Sequence, residues 1–269
     1  MTKLSLIAGA LAAMVLSTAS QSALAQVTTP DQASGGASVS CPVNHGQLAD
    51  MLKKSVKPSG GPSNGGFDNN EWAAVVNRQG VICAVAYSGD KVDDQWLGSR
   101  AIAAEKANTA NAFSLKSKAI ATANLYAAAQ PGGFLFGAGL SNPPLPDVLY
   151  AGSPQDFGGD HDPMVGKVVG GVIVFGGGLA LYNDGGIVGA LGVSGDSSCA
   201  DHNVAWRVRH FLGLDKVPAG VSPNMKDAII YDIGADGKSA SGFGHPKCNG
   251  REDQIAVDLG AGVAANTVR

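Results

Sequence analysis

The chain has 269 residues, with 19 Lys and Arg against 22 Asp and Glu and a formal net charge of −3. No basic stripe runs through it, which excludes nucleic acid as a partner. Apart from an apolar run at the N-terminus, no stretch is apolar for long enough to span a membrane.

Lys3, the apolar run over residues 4–18 and Ala23-Leu24-Ala25 have the layout of a signal peptide with an A-x-A cleavage site. Residues 1–25 are therefore expected to be removed, leaving a chain that starts at Gln26 in the periplasm or outside the cell. Four cysteines then meet an oxidising compartment: Cys41, Cys83, Cys199 and Cys248. An even count there reads as two disulfides. Of the three possible pairings, Cys41–Cys83 and Cys199–Cys248 are favoured, because each closes a loop local in sequence. A metal is the weaker reading, since no C-x-x-C pair is present.

Residues 26–43 read as a flexible leader rich in Thr, Ser, Gly and Gln. Residues 44–213 read as the main domain, and 214–269 as an extension packed on it. Leu48, Met51, Leu52 and Val56 recur at helical spacing up to Pro58. Residues 58–70 have loop chemistry. Two β-branched runs flank Asn77-Arg78-Gln79-Gly80 and predict a hairpin. In its second strand Val81, Cys83, Val85 and Tyr87 share one face, and Ile82, Ala84 and Ala86 the other. Both faces are apolar, so this strand is expected to be central. Ala-rich residues 99–113 predict a helix with Ser99 as N-cap, and 116–129 predict a second one. Residues 137–166, rich in Pro, Gly and Asp, read as a long loop.

Residues 167–195 read as strand, glycine corner, strand, an Asn183-Asp184-Gly185 turn and a further strand. A helix follows from Ser198, with Asp201 three residues on as in a capping box. Residues 228–234 and 253–260 are possible extra strands. The order of the main elements is α-β-β-α-α-β-β-β-α.

Several motifs fail on inspection. Gly195-Asp196-Ser197-Ser198 lacks the glycine pair that builds the oxyanion hole of a serine-protease turn, and Asp196 spoils a nucleophile elbow at Ser194. A tight turn into a helix cap explains the stretch. Asp232 and Asp236 begin no calcium loop, because Phe243 stands where a Glu is needed. Gly176-Gly177-Gly178 has neither phosphate-loop nor dinucleotide spacing. His161, between Asp160 and Asp162, reads as a solvated loop residue or a metal ligand. Gly189, Ala190 and Gly192 strip side chains from one strand, so either a helix backbone or a flat ligand must approach closely there.

The run Ala103 to Ala110 (AAEKANTA), the glycine corner and Gly186 to Gly195 (GIVGALGVSG), with Asp201 in the next helix, resemble the GlcG/HbpS-like family of haem-degrading or PduO C-terminal-like domains. The likeness covers residues 44–213. It implies an α/β (α+β) fold, a profilin-like antiparallel sheet of about five strands flanked by helices, often in homo-oligomers, and haem or corrinoid binding by some members. On this resemblance Lys106, Thr109, Phe113, Gly176, Gly177, Gly178, Asp201 and His202 form the candidate small-molecule groove. A haem would take His202 or His161 as its axial ligand. The resemblance also leaves open an enzyme that degrades haem or acts on a small carboxylate, and a non-catalytic interaction domain. The corner departs from the family pattern, with Leu179-Ala180 in place of a Pro-containing pair.

Overall fold

The structure, a computed structural model, describes residues 40–56, 64–248 and 250–264. The signal-peptide expectation, most of the leader and residues 58–63 of the expected loop lie outside these residues.

In chain order, α1 (His45–Val56) precedes the hairpin β1 (Trp72–Asn77) and β2 (Ile82–Tyr87). Next come α2 (Ser99–Phe113) and the short helices α3 (Tyr126–Ala129), α4 (Ala138–Ser141) and α5 (Pro146–Leu149). Then follow β3 (Gly178–Asn183), β4 (Gly186–Ser194), α6 (Ser198–Phe211), β5 (Ile229–Tyr231), α7 (Glu252–Asp258) and β6 (Gly262–Ala264). This is a mixed α/β fold around an antiparallel sheet ordered β2-β1-β4-β3, with β5 and β6 paired separately in parallel. None of the described helices is long and apolar enough to cross a membrane.

Side chains alternate across the sheet and bury both of its faces. Ala73, Val75, Leu191 and Val193 pack with Leu48 and Leu52 of α1 and Val204 and Val208 of α6. Trp72, Ala74, Val76 and Ala190 point the other way, onto Ala103, Ala104, Ala107 and Ala110 of α2 and Met164 and Val169 of the long loop.

Several expectations are corrected. The sheet has four strands, because residues 167–177 form no strand. β2 is an edge strand. It is buried because the chain at 166–168 covers its free side: the Ile82 N–H donates to the Lys167 carbonyl at 2.8 Å, and the Gly166 N–H donates to Ile82 at 2.9 Å. That cover removes the pairing hazard of an open edge. A bulge between Val75 and Val76 faces Val76 with Ile82 rather than Cys83. Ile82 therefore joins Val85 and Trp72, not Ala84 and Ala86.

Residues 116–121 are not helical, and 122–129 form a short 3-10 turn running into α3. Leu115 and Lys118 bond each other across a turn, and the Ala119 N–H donates to Ala219 instead of up a helix. Ser99 lies inside α2, whose cap position is Gly98. The α6 cap is Ser197, one residue before the expected Ser198, and its hydroxyl accepts from the Ala200 N–H. Most of 253–260 is helix α7 rather than strand; 228–234 does carry β5.

Disulfides Cys41–Cys83 and Cys199–Cys248 tie the first segment to β2 and the tail to α6. Buried Arg209 adds a two-pronged grip on Asp227, at 2.6 and 2.8 Å.

Candidate functional site

The residues singled out in the sequence converge where α2, β4, the glycine corner and α6 meet. Lys106 reaches inward from α2, fully buried. Its Nζ donates to Asp201 Oδ2 at 2.6 Å and to the Val193 carbonyl at 2.9 Å. The Phe175 ring lies 5.0 Å from the same ammonium. Asp201 Oδ1 accepts the N–H groups of Gly195 and Asp196, at 3.1 and 2.9 Å. Burial pushes the Asp201 carboxyl up to about 6, against the opposing pull of Lys106. At neutral pH the two form a closed ion pair.

The glycine corner is packed against this pair. A Cβ on Gly177, whose φ is +114°, would stand 2.8 Å from Lys106 Nζ and 2.4 Å from the Val193 carbonyl. The Gly178 N–H donates to Thr122 Oγ1 at 2.9 Å, and the Gly176 N–H approaches His245 Nε2 at 3.4 Å. Thr109 accepts from the Ile173 N–H and donates to the Glu105 carbonyl. Phe113 stands half-buried at the end of α2. A Cβ on Gly192 would meet the Ala103 carbonyl at 2.0 Å and the Ala107 nitrogen at 2.5 Å. The side-chain-poor strand thus receives the backbone of α2. The flat-ligand alternative is corrected: neither Lys106 nor the amides of Gly176 and Gly178 face an open groove, and a tetrapyrrole does not fit beneath this helix.

His202 is also inside, with no exposed surface. Its Nε2 pairs with the Ala261 carbonyl at 3.2 Å, its Nδ1 is unpartnered, and burial pushes its pKa down to about 3. It is neutral and has no path to an external iron. His161 is exposed and makes no hydrogen bond among the described residues. No group of three His, Cys, Asp or Glu among the described residues could hold a metal ion, so His161 and His202 do not join in one.

The loop carrying His161 is pinned from below. Arg100 donates to both oxygens of Asp162, at 2.8 and 2.5 Å, and to the Leu149 carbonyl at 2.7 Å. Asp162 also accepts the N–H groups of Gly158 and Met164. His45 adjoins this loop, its Nε2 3.7 Å from Asp160.

Two buried groups escaped the sequence reading. Glu71 has no exposed surface and no hydrogen-bond partner for either carboxyl oxygen. Burial first, then the negative charges of Asp201 and Asp196, raise its pKa well above the ordinary value. The His245 ring lies tilted against Tyr126 at 5.2 Å, donates toward the Pro246 carbonyl, and is pushed down to about 4 by burial. Neither position carries a local motif. Each acquires its setting from segments far apart in sequence.

Among solved structures, PduOC in a haem complex is similar at 23% identity, over 62% of this chain and 89% of that one, with a TM-score of 0.42. Klebsiella pneumoniae protein ORFY is similar at 20% identity, over 69% and 98%, with a TM-score of 0.44. HbpS is similar at 15% identity, over 70% and 99%, with a TM-score of 0.41. No curated protein matches the chain significantly. The family model for HbpS-like haem-degrading proteins matches residues 70–209, just over half of the 269. That span runs from the start of the hairpin through α6 and includes the buried ion pair and the pinned loop. The chain belongs to the HbpS-like family of haem-degrading proteins.

Proposed function

We propose that the protein is exported and binds haem or a related tetrapyrrole on its surface, with His161 as the axial imidazole. Family membership over residues 70–209 carries the ligand class. The position rests on the contrast between the two candidate histidines: His161 is exposed and has no partner among the described residues, whereas His202 is sealed in the core. An imidazole is an ordinary axial ligand for haem iron. The Arg100–Asp162 clamp supports the reading, because it fixes the loop on which His161 stands. Export is supported by the signal-peptide layout and by two disulfides. Homo-oligomer formation is supported by exposed Phe134, Phe136 and Leu140, which light scattering would test against a monomer mass.

Titration of the purified protein with haemin tests the proposal. A saturable, stoichiometric Soret shift is expected, and a spectrum identical to free haemin contradicts it. The family description also favours a second reading, oxidative haem breakdown. Loss of the Soret band on adding peroxide or reductant, faster than for free haemin, would support it. Equal rates would leave a binding protein.

A further inference from the structure

Outside the family match, residues 65–67, Cys248, Gly250 and Glu252 come together at the N-terminal end of α6. An open crevice of ≈ 390 Å³ lies between them, lined among others by Gly65, Gly66, Phe67, Ser198, Gly250 and Glu252. Glu252 is the one charged side chain among the described residues lining it. It is 2% exposed. Its Oε1 accepts the Ser197 hydroxyl at 2.7 Å, while its Oε2 has no partner. A buried carboxylate oxygen without a donor is a standing demand for one.

Nearby cations do not meet it. Lys247 pairs with Asp253 at 2.7 Å, Arg207 is engaged by Asn64 and the Ser55 carbonyl among other partners, and Arg251 is exposed and makes no ion pair among the described residues. The walls beside the carboxylate are bare backbone. A Cβ on Gly250 would meet the Gly65 carbonyl at 1.9 Å and Glu252 Oε2 at 2.6 Å, and one on Gly66 would collide with Asp196 Oδ1 at 1.8 Å. At the rim Phe67 is 70% exposed, with the exposed Trp96 ring 5.9 Å away. An acidic floor beneath an exposed aromatic corner is the chemistry that receives organic ammonium groups, through ion pairing below and cation–π contact above.

The geometry points to this crevice as a binding site for a small organic cation, an ammonium group seated on Glu252 and covered by Phe67. Isothermal titration with choline chloride tests it, with 3,3-dimethyl-1-butanol as the neutral isostere at equal ionic strength. Choline is expected to bind saturably and at least tenfold tighter than the alcohol. Glu252→Gln should weaken choline binding at least tenfold, and Phe67→Ala several-fold. Phe67 is exposed, so its variant decides the matter even if Glu252→Gln fails to fold. Absent choline binding, equal affinity for the alcohol, or affinity unchanged in Phe67→Ala would each overturn the assignment.

Discussion

Lys106 and Asp201 show how a residue pair can carry a family's pattern and yet face inward. Neither has meaningful exposure, so the pair is held by its own geometry rather than by solvent. Removing one partner strands a buried charge, which costs about 3–5 kcal/mol. Lys106→Met should therefore lower stability by that order in denaturant unfolding. Adding Asp201→Asn should restore part of it, because the amide oxygen still accepts from Gly195 and Asp196 without a charge. Glu71 gives a pH-dependent counterpart. Its folded-state pKa lies above the unfolded value near 4.5, so its contribution is whole below that pH and is lost as pH rises through the folded value. Glu71→Gln should thus be close to neutral at pH 4 and increasingly stabilising toward pH 8. A constant difference across that range would contradict the protonated, unpartnered state. The close packing at Gly192 was legible in sequence as a missing side chain. Which partner filled the gap was not, because helix backbone and flat ligand make the same demand on a strand.

At the scale of elements, long periodic segments were readable and irregular ones were not. The helix before the first loop, the hairpin at Asn77, the Asp184-Gly185 turn and α6 follow from period and turn chemistry. The stretch at 116–121 misled because its propensity is helical, while its backbone groups find tertiary partners instead. The apolar run at 167–175 misled because only its start lies along the edge of β2, while Val169 and Gly170 pair with the long loop at 144–145. The long loop is ordered by Asp162, which binds Arg100 and two backbone N–H groups at once. Asp162→Ala should leave the Arg100 guanidinium buried and unpaired, costing about 3–5 kcal/mol. Limited proteolysis should then cut first within residues 150–166. Protection equal to that of the parent would show that the clamp does not hold the loop.

For the whole molecule, two disulfides and the buried Arg209–Asp227 ion pair are among the ties that join the family portion to its flanks. The disulfides span 42 and 49 residues. Loop-closure entropy assigns each about 4 kcal/mol at most, and strain or residual structure reduces that. A Cys199→Ser/Cys248→Ser double variant should lose about 2–4 kcal/mol and release the tail from the end of α6. Thiol counting on the denatured, unreduced parent should find none. The pairing was legible because sequence-local closure coincides here with spatial closeness. The burial of His202 was not, because the tail that caps it through Ala261 lies beyond the family pattern.

The most direct test sets the two histidines against each other in one haemin titration at neutral pH, each variant first checked for a folded far-UV spectrum. His161→Ala should abolish the saturable Soret shift, and His202→Leu should retain it at the parent stoichiometry. Retention in His161→Ala with loss in a folded His202→Leu would place the tetrapyrrole inside the core and contradict the account.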